Sequence, residues 1–232
     1  MQRFQPFPRQ WALILTALSW LCAGAASPTL AQTTASDGEG QPIEIVAFGD
    51  SLTQGYGVEP GKAFPEQLQA ALRKDGLNVT VDNAGVSGDT TTGGLSRLDW
   101  SVPESADLVI VELGANDALR GVSPDITRKN LDEILKRLTD RGQKVVFTGM
   151  MAPPNMGPDY GKAFNAIYPE LAKIYPVTFY PFFLEGVAAD PTLNQADGMH
   201  PTAKGVDKIV TSMKPVIEEA LNSKTSRSQA SQ

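Results

Sequence analysis

The stretch "IEIVAFGDSLTQG", residues 43–55, joins an apolar run to a polar turn. Residues 43–48 are rich in Ile, Val and Phe, which is the composition of a buried β-strand. Gly49, Asp50 and Ser51 follow at once, and Gly55 comes after them. The pattern predicts a strand that ends near residue 48 and a serine that is presented at the rim of a sheet.

Further apolar runs alternate with helical patterns along the rest of the chain. Four more strand-like runs occur at residues 79–84, 107–114, 144–150 and 177–182, and helical spacing occurs at 63–76, 124–142, 160–175 and 201–221. Alternation of apolar strands with helices is typical of a parallel sheet covered on both faces. We therefore predict a single α/β domain over residues 42–222, a three-layer α/β/α sandwich with a central, mostly parallel five-stranded sheet.

The first 31 residues have the pattern of an export signal. Arg3 and Arg9 precede an apolar run from Trp11 to Ala26, and Thr29-Leu30-Ala31 fits a small-x-small cleavage site. An uncleaved anchor is disfavoured because the run is shorter than the roughly 20 residues that span a bilayer. A lipoprotein at Cys22 is disfavoured by the bulky residues before it. We predict a signal peptide over residues 1–31, a flexible lead-in over 32–41 and a disordered tail over 223–232.

This prediction places the mature protein outside the cytoplasm, in the periplasm or secreted into the medium, with no stable membrane anchor. Cleavage after Ala31 removes two arginines and no acid, so the formal net charge changes from −6 to −8. An acidic chain without a basic stripe is a poor partner for nucleic acid or an anionic membrane. Cleavage also removes Cys22, the single cysteine, so the mature chain has no disulfide.

Polar segments follow three of the strands and precede the last helix. They are "GDSLTQG" at 49–55, "GVSGDTT" at 85–91, "GAND" at 114–117 and "DGMHP" at 197–201. Parallel sheets bind ligands at the carboxyl ends of their strands, so these segments are expected to meet in one crevice. His200 is the single histidine; with no cysteine in the mature chain, a His/Cys metal cluster is excluded, and we expect no metal or cofactor.

The residue types in this crevice suit nucleophilic catalysis. Ser51 becomes a nucleophile only if a base removes its proton, and His200 is the imidazole available. Asp197, three residues earlier, would orient that imidazole. Candidates for stabilising an oxyanion are the N–H groups of Ser51 and Gly88 and the amide of Asn116. Taken singly, each has an ordinary interpretation as a helix cap, loop glycine or turn former.

Four acids also lie near the expected crevice. We interpret all four as hydrogen-bonded supports rather than as groups that take part in the chemistry. They are Asp50, Asp89, Glu112 and Asp117.

The ordered set of motifs resembles the SGNH, or GDSL, family of serine hydrolases, from about Ile43 to Leu221. The matching blocks are Gly49-Asp50-Ser51-Leu52, Gly88, Gly114-Ala115-Asn116-Asp117, and Asp197 with His200. The similarity is greatest to the periplasmic arylesterase, thioesterase I and lysophospholipase L1 subgroup. It implies a flavodoxin-like fold, catalytic residues Ser51, Asp197 and His200, and an oxyanion hole from Ser51, Gly88 and Asn116. Ala115 stands where that subgroup often has glycine.

The resemblance implies an exported enzyme that cleaves aryl or acyl esters, extending to thioesters or lysophospholipids, through an acyl-enzyme on Ser51. Its partner would be a small-molecule ester or lipid. A carbohydrate acetyl-esterase of the same fold is an alternative, and a catalytically silent binding module is a weaker one. Met150, Met151, Met156, Tyr160 and Phe164 are apolar candidates for an acyl or aryl pocket, although core packing explains at least half of them.

Overall fold

The structure is a computed structural model, and it describes residues 41–223. The predicted signal peptide at 1–31, nearly all of the lead-in and nearly all of the tail lie outside these residues. Within the described range, no helix combines the length and the apolar character needed to cross a membrane.

Five strands form the central sheet, in the order β2-β1-β3-β4-β5. Every neighbouring pair of strands in the described residues is parallel, which confirms the predicted sheet. The strands are β1 Ile43–Gly49, β2 Val79–Gly85, β3 Leu108–Glu112, β4 Lys144–Thr148 and β5 Thr178–Tyr180. All five residues of β3 are buried, which explains why the sequence of this strand is continuously apolar rather than alternating.

Helices cover both faces of the sheet, which confirms the three-layer sandwich. Helices α2 and α7 pack together on one face, and α3, α5 and α6 pack on the other. The helices are α1 Ser51–Gln54, α2 Phe64–Lys74, α3 Thr91–Ser101, α4 Ala115–Leu119, α5 Pro124–Asp140, α6 Pro158–Ile174 and α7 Ala203–Asn222. A short 3₁₀ turn spans Pro154–Met156.

The four predicted helical segments became α2, α5, α6 and α7, but the sequence analysis did not identify α3. This helix contains Gly93 and Gly94, which weaken a helical pattern. A Cβ atom added to Gly94 would lie 2.5 Å from Cδ1 of Leu113. The glycine thus lets α3 approach the end of β3 closely, and tertiary packing outweighs its poor helix propensity.

The strand order sets the position of the functional crevice. From β1 the chain crosses to β2 on one side, and β3 lies on the other side of β1. Between β1 and β3 the direction of winding reverses, and ligands of open parallel sheets bind at such a point. Helix α1 follows β1 and α4 follows β3, so Ser51 and Asn116 enter the crevice from neighbouring strands.

Candidate active site

Ser51 is the first residue of α1, directly beyond the end of β1. The cap of this helix is Asp50, whose Oδ1 accepts a hydrogen bond from the Leu52 N–H at 3.0 Å. The interpretation of Ser51 as the helix cap is therefore wrong. Ser51 is 8% exposed, and it faces the crevice instead of its own helix backbone.

His200 lies between Ser51 and Asp197. Its Nε2 atom is 3.0 Å from Ser51 Oγ, and its Nδ1 atom is 2.7 Å from Asp197 Oδ2. A carboxylate at Nδ1 favours the tautomer with its proton on that nitrogen, which leaves Nε2 to accept the Ser51 hydroxyl proton. The structure thus brings together the three residues that the sequence analysis selected.

Asp197 is held by the turn that carries the histidine. Its Oδ1 accepts the backbone N–H groups of Met199 and His200 at 2.9 and 3.0 Å. The bond from the His200 N–H, with the side-chain bond to the same residue, lowers the pKa of Asp197 to about 2. Asp197 is therefore ionised at neutral pH, which is the state that orients and stabilises a charged imidazole.

Two side chains that the sequence analysis missed also fix this turn. The ring of Tyr56 lies against the His200 ring with 4.6 Å between centroids. Gln195 Nε2 donates to the carbonyl oxygens of Tyr56 and Pro201 at 2.7 and 3.0 Å. These contacts join loops that are far apart in sequence, and no local pattern signals them.

Gly88 and Asn116, the other oxyanion candidates, flank the same edge of the sheet. Gly88 has a φ of +77° in a turn closed by the Asp89 N–H and the Val86 carbonyl, a conformation that favours glycine. Arg120, which follows α4, donates from Nη2 to the Gly88 carbonyl at 2.7 Å. Asn116 lies in the first turn of α4, so its interpretation as a turn former is wrong.

Asn116 lines a cavity beside Ser51, whereas Gly88 is not among the described residues that line it. The amide nitrogen of Asn116 donates to Asp50 Oδ2 at 3.0 Å. An amide nitrogen carries two N–H groups, so one remains for a ligand. The structure therefore places Ser51 and Asn116 at the cavity and Gly88 in the turn beside it.

Two of the acids have the support roles that were predicted for them. Asp89 pairs with the buried Arg97 at 2.7 Å, and Arg97 also donates to the carbonyl oxygens of Ala84 and Gly49. The Asp117 carboxylate accepts from the N–H and hydroxyl of Thr91. These bonds connect the loops that carry the site to the ends of β1 and β2.

The other two acids, Asp50 and Glu112, form a buried pair below the serine. They are 0% and 1% exposed. Burial raises the pKa of Asp50 to about 6, and burial together with the Asp50 charge raises the pKa of Glu112 well above its usual range. Both shifts favour the protonated forms, so this buried pair resists carrying two negative charges.

The raised pKa of Glu112 predicts a pH-dependent stability. An unfolded glutamate ionises above about pH 4, so the stabilising contribution of this group is present below that pH. It is lost as the pH rises towards the folded pKa. We expect Glu112→Gln to raise the melting temperature at about pH 8 relative to wild type, and to change it less at about pH 5. Thermal melts of both proteins across this range test the prediction, and parallel curves would contradict it.

A cavity of about 560 Å³ opens beside Ser51 and His200. Met150 and Met151 line it, as expected, but Met156, Tyr160 and Phe164 do not. Phe164 belongs to the core, and the Tyr160 hydroxyl donates to the Val122 carbonyl at 2.8 Å. Much of the remaining apolar wall comes from residues that were not named as pocket candidates from the sequence: Leu119, Pro153, Pro154, Phe182, Leu184, Ala188 and Ala189.

In the described part of the chain, no group of three His, Cys, Asp or Glu side chains is arranged to hold a metal ion. The arrangement consists of a hydroxyl, an imidazole and a carboxylate at the carboxyl edge of a parallel sheet. Together with the α/β/α fold, it defines the class of serine hydrolases.

Within that class, the GDSL-like lipase/acylhydrolase family matches residues 47–208. The chain belongs to this family, which confirms the resemblance drawn from the four motif blocks.

Individual relatives agree with the family match. An arylesterase of Vibrio mimicus is 42% identical over 159 residues, which are 68% of this chain and 80% of that protein. The thioesterase 1/protease 1/lysophospholipase L1 of Escherichia coli K12 is 38% identical over 158 residues, which are 68% of this chain and 74% of that protein. The crystal structure of AlinE4, an SGNH-hydrolase family esterase, is 47% identical, with a TM-score of 0.66 over 79% of this chain and 99% of that one.

Proposed function

We propose that this protein hydrolyses carboxylic esters through an acyl-enzyme on Ser51. The observation that carries the proposal is the continuous line from Ser51 Oγ through the His200 ring to Asp197, with distances of 3.0 and 2.7 Å. The Ser51 end of this line opens into an apolar cavity. A reactive hydroxyl and a place for an acyl or aryl group thus lie side by side.

In the proposed reaction, Ser51 Oγ attacks the acyl carbon while His200 Nε2 takes the hydroxyl proton. Asp197 stabilises the imidazolium that forms. The Ser51 and Gly88 N–H groups and the Asn116 amide donate to the oxyanion. His200 then gives its proton to the leaving alcohol, and water, activated by the same imidazole, releases the acid from Ser51.

The cavity walls favour aryl or acyl esters as substrates. Methionine, leucine, proline, phenylalanine and alanine side chains supply most of the lining, and such surfaces bind alkyl chains and rings by removing them from water. The names of the relatives, arylesterase and thioesterase 1/lysophospholipase L1, support the same range, extended to thioesters and lysophospholipids. A carbohydrate acetyl-esterase would need more polar groups to bind a sugar.

A serine-directed fluorophosphonate probe tests the chemistry. We expect labelling of the wild-type protein at Ser51, found by peptide mass spectrometry, and no labelling of Ser51→Ala. Ser87→Ala is the matched control, because Ser87 is an exposed serine in the neighbouring turn whose hydroxyl donates to Gln54; it should still be labelled. A folded wild-type protein without label would support the binding module and overturn the proposal.

A substrate panel then separates the ester classes. It contains p-nitrophenyl esters from acetyl to palmitoyl, an acyl-CoA, a lysophospholipid and an acetylated xylan. An apolar cavity predicts a higher kcat/KM for acyl groups longer than acetyl, since each buried CH₂ contributes about 0.8 kcal/mol. Preference for acetylated xylan over every other ester would favour the carbohydrate esterase.

We further propose that the protein is exported to the periplasm or the medium after cleavage behind Ala31. The basic residues, the apolar run and the Thr29-Leu30-Ala31 site support this. Mass spectrometry of the mature protein from its host should find an N-terminus at or near Gln32. An intact Met1 form recovered from membranes would contradict it.

A further inference from the structure

Two buried carboxyl groups under the active site have no part in the proton transfers described above. Asp50 is fully buried and Glu112 is 1% exposed, and β1 pairs with β3 so that Gly49 lies opposite Glu112. A Cβ atom on Gly49 would lie 2.6 Å from Glu112 Oε2. Glycine at this position is what allows the glutamate to reach beneath the serine-bearing turn.

The two oxygens of Glu112 have different surroundings. Oε2 accepts hydrogen bonds from the Asp50 N–H at 3.2 Å and from the Thr53 hydroxyl at 2.8 Å. Oε1 is buried and receives no hydrogen bond within the described residues. An ionised oxygen in that position would be strongly destabilised, whereas a protonated one can donate. A proton on Glu112 would therefore allow this carboxyl group to donate a hydrogen bond to a neighbouring Asp50 carboxylate.

Asp50 has the complementary surroundings of a carboxylate. Its Oδ1 accepts the Leu52 N–H at 3.0 Å, and its Oδ2 accepts the Asn116 amide N–H at 3.0 Å. Both donors stabilise negative charge. Neighbouring buried carboxyl groups do not both ionise. Both oxygens of Asp50 accept a hydrogen bond, whereas Oε1 of Glu112 accepts none within the described residues, so this geometry favours the proton on Glu112.

The bond to Asp50 also determines which way the Asn116 amide faces. A carboxylate accepts hydrogen bonds and donates none, so it selects the nitrogen of the amide and turns its oxygen away. The second N–H on that nitrogen is then available at the cavity beside Ser51. If Asp50 became an amide or a neutral acid, it would be able to donate, and the Asn116 amide would be free to reverse.

We propose that Asp50 and Glu112 are positioning residues for oxyanion stabilisation: Glu112 donates a hydrogen bond to the Asp50 carboxylate, which holds the Asn116 amide with an N–H towards the substrate. The proposal rests on the proposed function of Asn116. It predicts that the charge on Asp50 and the hydrogen-bond donor on Glu112 are the properties that matter.

Substitutions at Asp50 test whether its negative charge is needed. Asp50→Asn is isosteric but can reverse the Asn116 amide, and Asp50→Ser keeps a good helix cap while losing the contact with Asn116. Both should lower kcat by roughly tenfold to a hundredfold, less than removal of the donor itself, with KM changed by less than about threefold. Melting temperatures show whether each variant is folded. Wild-type kcat in both variants would overturn the proposal.

A double-mutant cycle shows whether Asp50 acts through Asn116. If it does, Asp50→Ser in an Asn116→Ala background should change kcat by less than about threefold, because the group that it positions is already gone. If the two effects multiply instead, Asp50 acts on some other group, such as His200, and the positioning role is wrong.

Substitutions at Glu112 test whether a hydrogen-bond donor is needed at this position. Glu112→Met keeps the length of the side chain but has no donor, and it should lower kcat about as much as Asp50→Ser does. Glu112→Gln replaces the O–H donor with an N–H donor and should restore kcat to within about threefold of wild type. A glutamine variant as impaired as the methionine variant would show that the carboxyl group itself is needed.

An infrared measurement tests the pair without relying on activity. The carbonyl stretch of a protonated carboxylic acid should be present in the wild-type protein at neutral pH and absent in Glu112→Gln. If the wild-type protein neither hydrolyses esters nor is labelled at Ser51, the proposed function is wrong and the role in oxyanion stabilisation falls with it, whereas the proton on Glu112 still stands. A wild-type spectrum without the protonated-acid band would overturn the proton on Glu112 alone.

Discussion

Replacing His200 with alanine is expected to lower kcat/KM by at least about a hundredfold, and by as much as about a millionfold if it acts with Ser51 as a unit. The described residues give Ser51 Oγ one imidazole partner, at 3.0 Å, and the chain holds no second histidine to replace it. Without a base, the serine hydroxyl remains a weak nucleophile. We expect the fold to survive, because the ring is part-exposed beside an open cavity.

Steady-state kinetics on one p-nitrophenyl ester, with melting curves, measure this effect. Free imidazole should restore part of the activity of His200→Ala, because the missing ring leaves space beside Ser51, and it should not help Ser51→Ala. A folded His200→Ala variant that keeps more than about a hundredth of wild-type kcat/KM would exclude His200 as the general base.

Asp50 should contribute to the loss of activity at acid pH. Burial raises the pKa of Asp50 to about 6, so falling pH neutralises the carboxylate that holds Asn116 and reduces activity. Asp50→Ser lacks this group, so the acid limb of its profile of kcat against pH should be less steep than that of the wild type. A limb unchanged from wild type would contradict the contribution of Asp50.

Much of this fold was predictable because buried parallel strands require continuous apolar sequence. The predicted runs at 43–48, 79–84, 107–114, 144–150 and 177–182 all became strands of one sheet. The position of the candidate site was predictable for a related reason: polar residues that follow such strands meet at the carboxyl edge of the sheet. His200 needed no structure to be singled out, since a lone imidazole near an acid is a distinctive chemical signal.

The remaining features depend on packing between distant segments, which local patterns do not encode. Helix α3 exists because Gly94 fits against Leu113, despite two adjacent glycines. Tyr56 meets the His200 ring from a loop far away in sequence. Asp50 and Glu112 are 62 residues apart and meet through the register of β1 with β3. Two buried carboxyl groups lower the free energy of unfolding, and proteins keep such destabilising groups mainly at functional sites.

Removing the Asn116 amide is the second large effect that we expect. Asn116→Ala should lower kcat by roughly a hundredfold to a thousandfold, or about 3 to 4 kcal/mol, with little change in KM. The reason is that a donor aimed at the oxyanion gains strength mainly as negative charge develops in the transition state. The measurement is kcat and KM on one ester, together with the melting temperature of the variant.

Asn116→Asp makes the same test sharper, because it changes one side-chain nitrogen to oxygen. The new carboxylate would face the oxyanion on one side and the Asp50 carboxylate on the other, where the amide now donates at 3.0 Å. We expect kcat to fall at least as far as it does in Asn116→Ala. We also expect a lower melting temperature above about pH 6, where both acids would be charged. Asn83→Asp is the matched control, since Asn83 is an exposed asparagine at the end of β2, and it should remain active. If Asn116→Asp is folded and nearly fully active, Asn116 does not donate to the oxyanion, and the positioning role of Asp50 and Glu112 is then wrong as well.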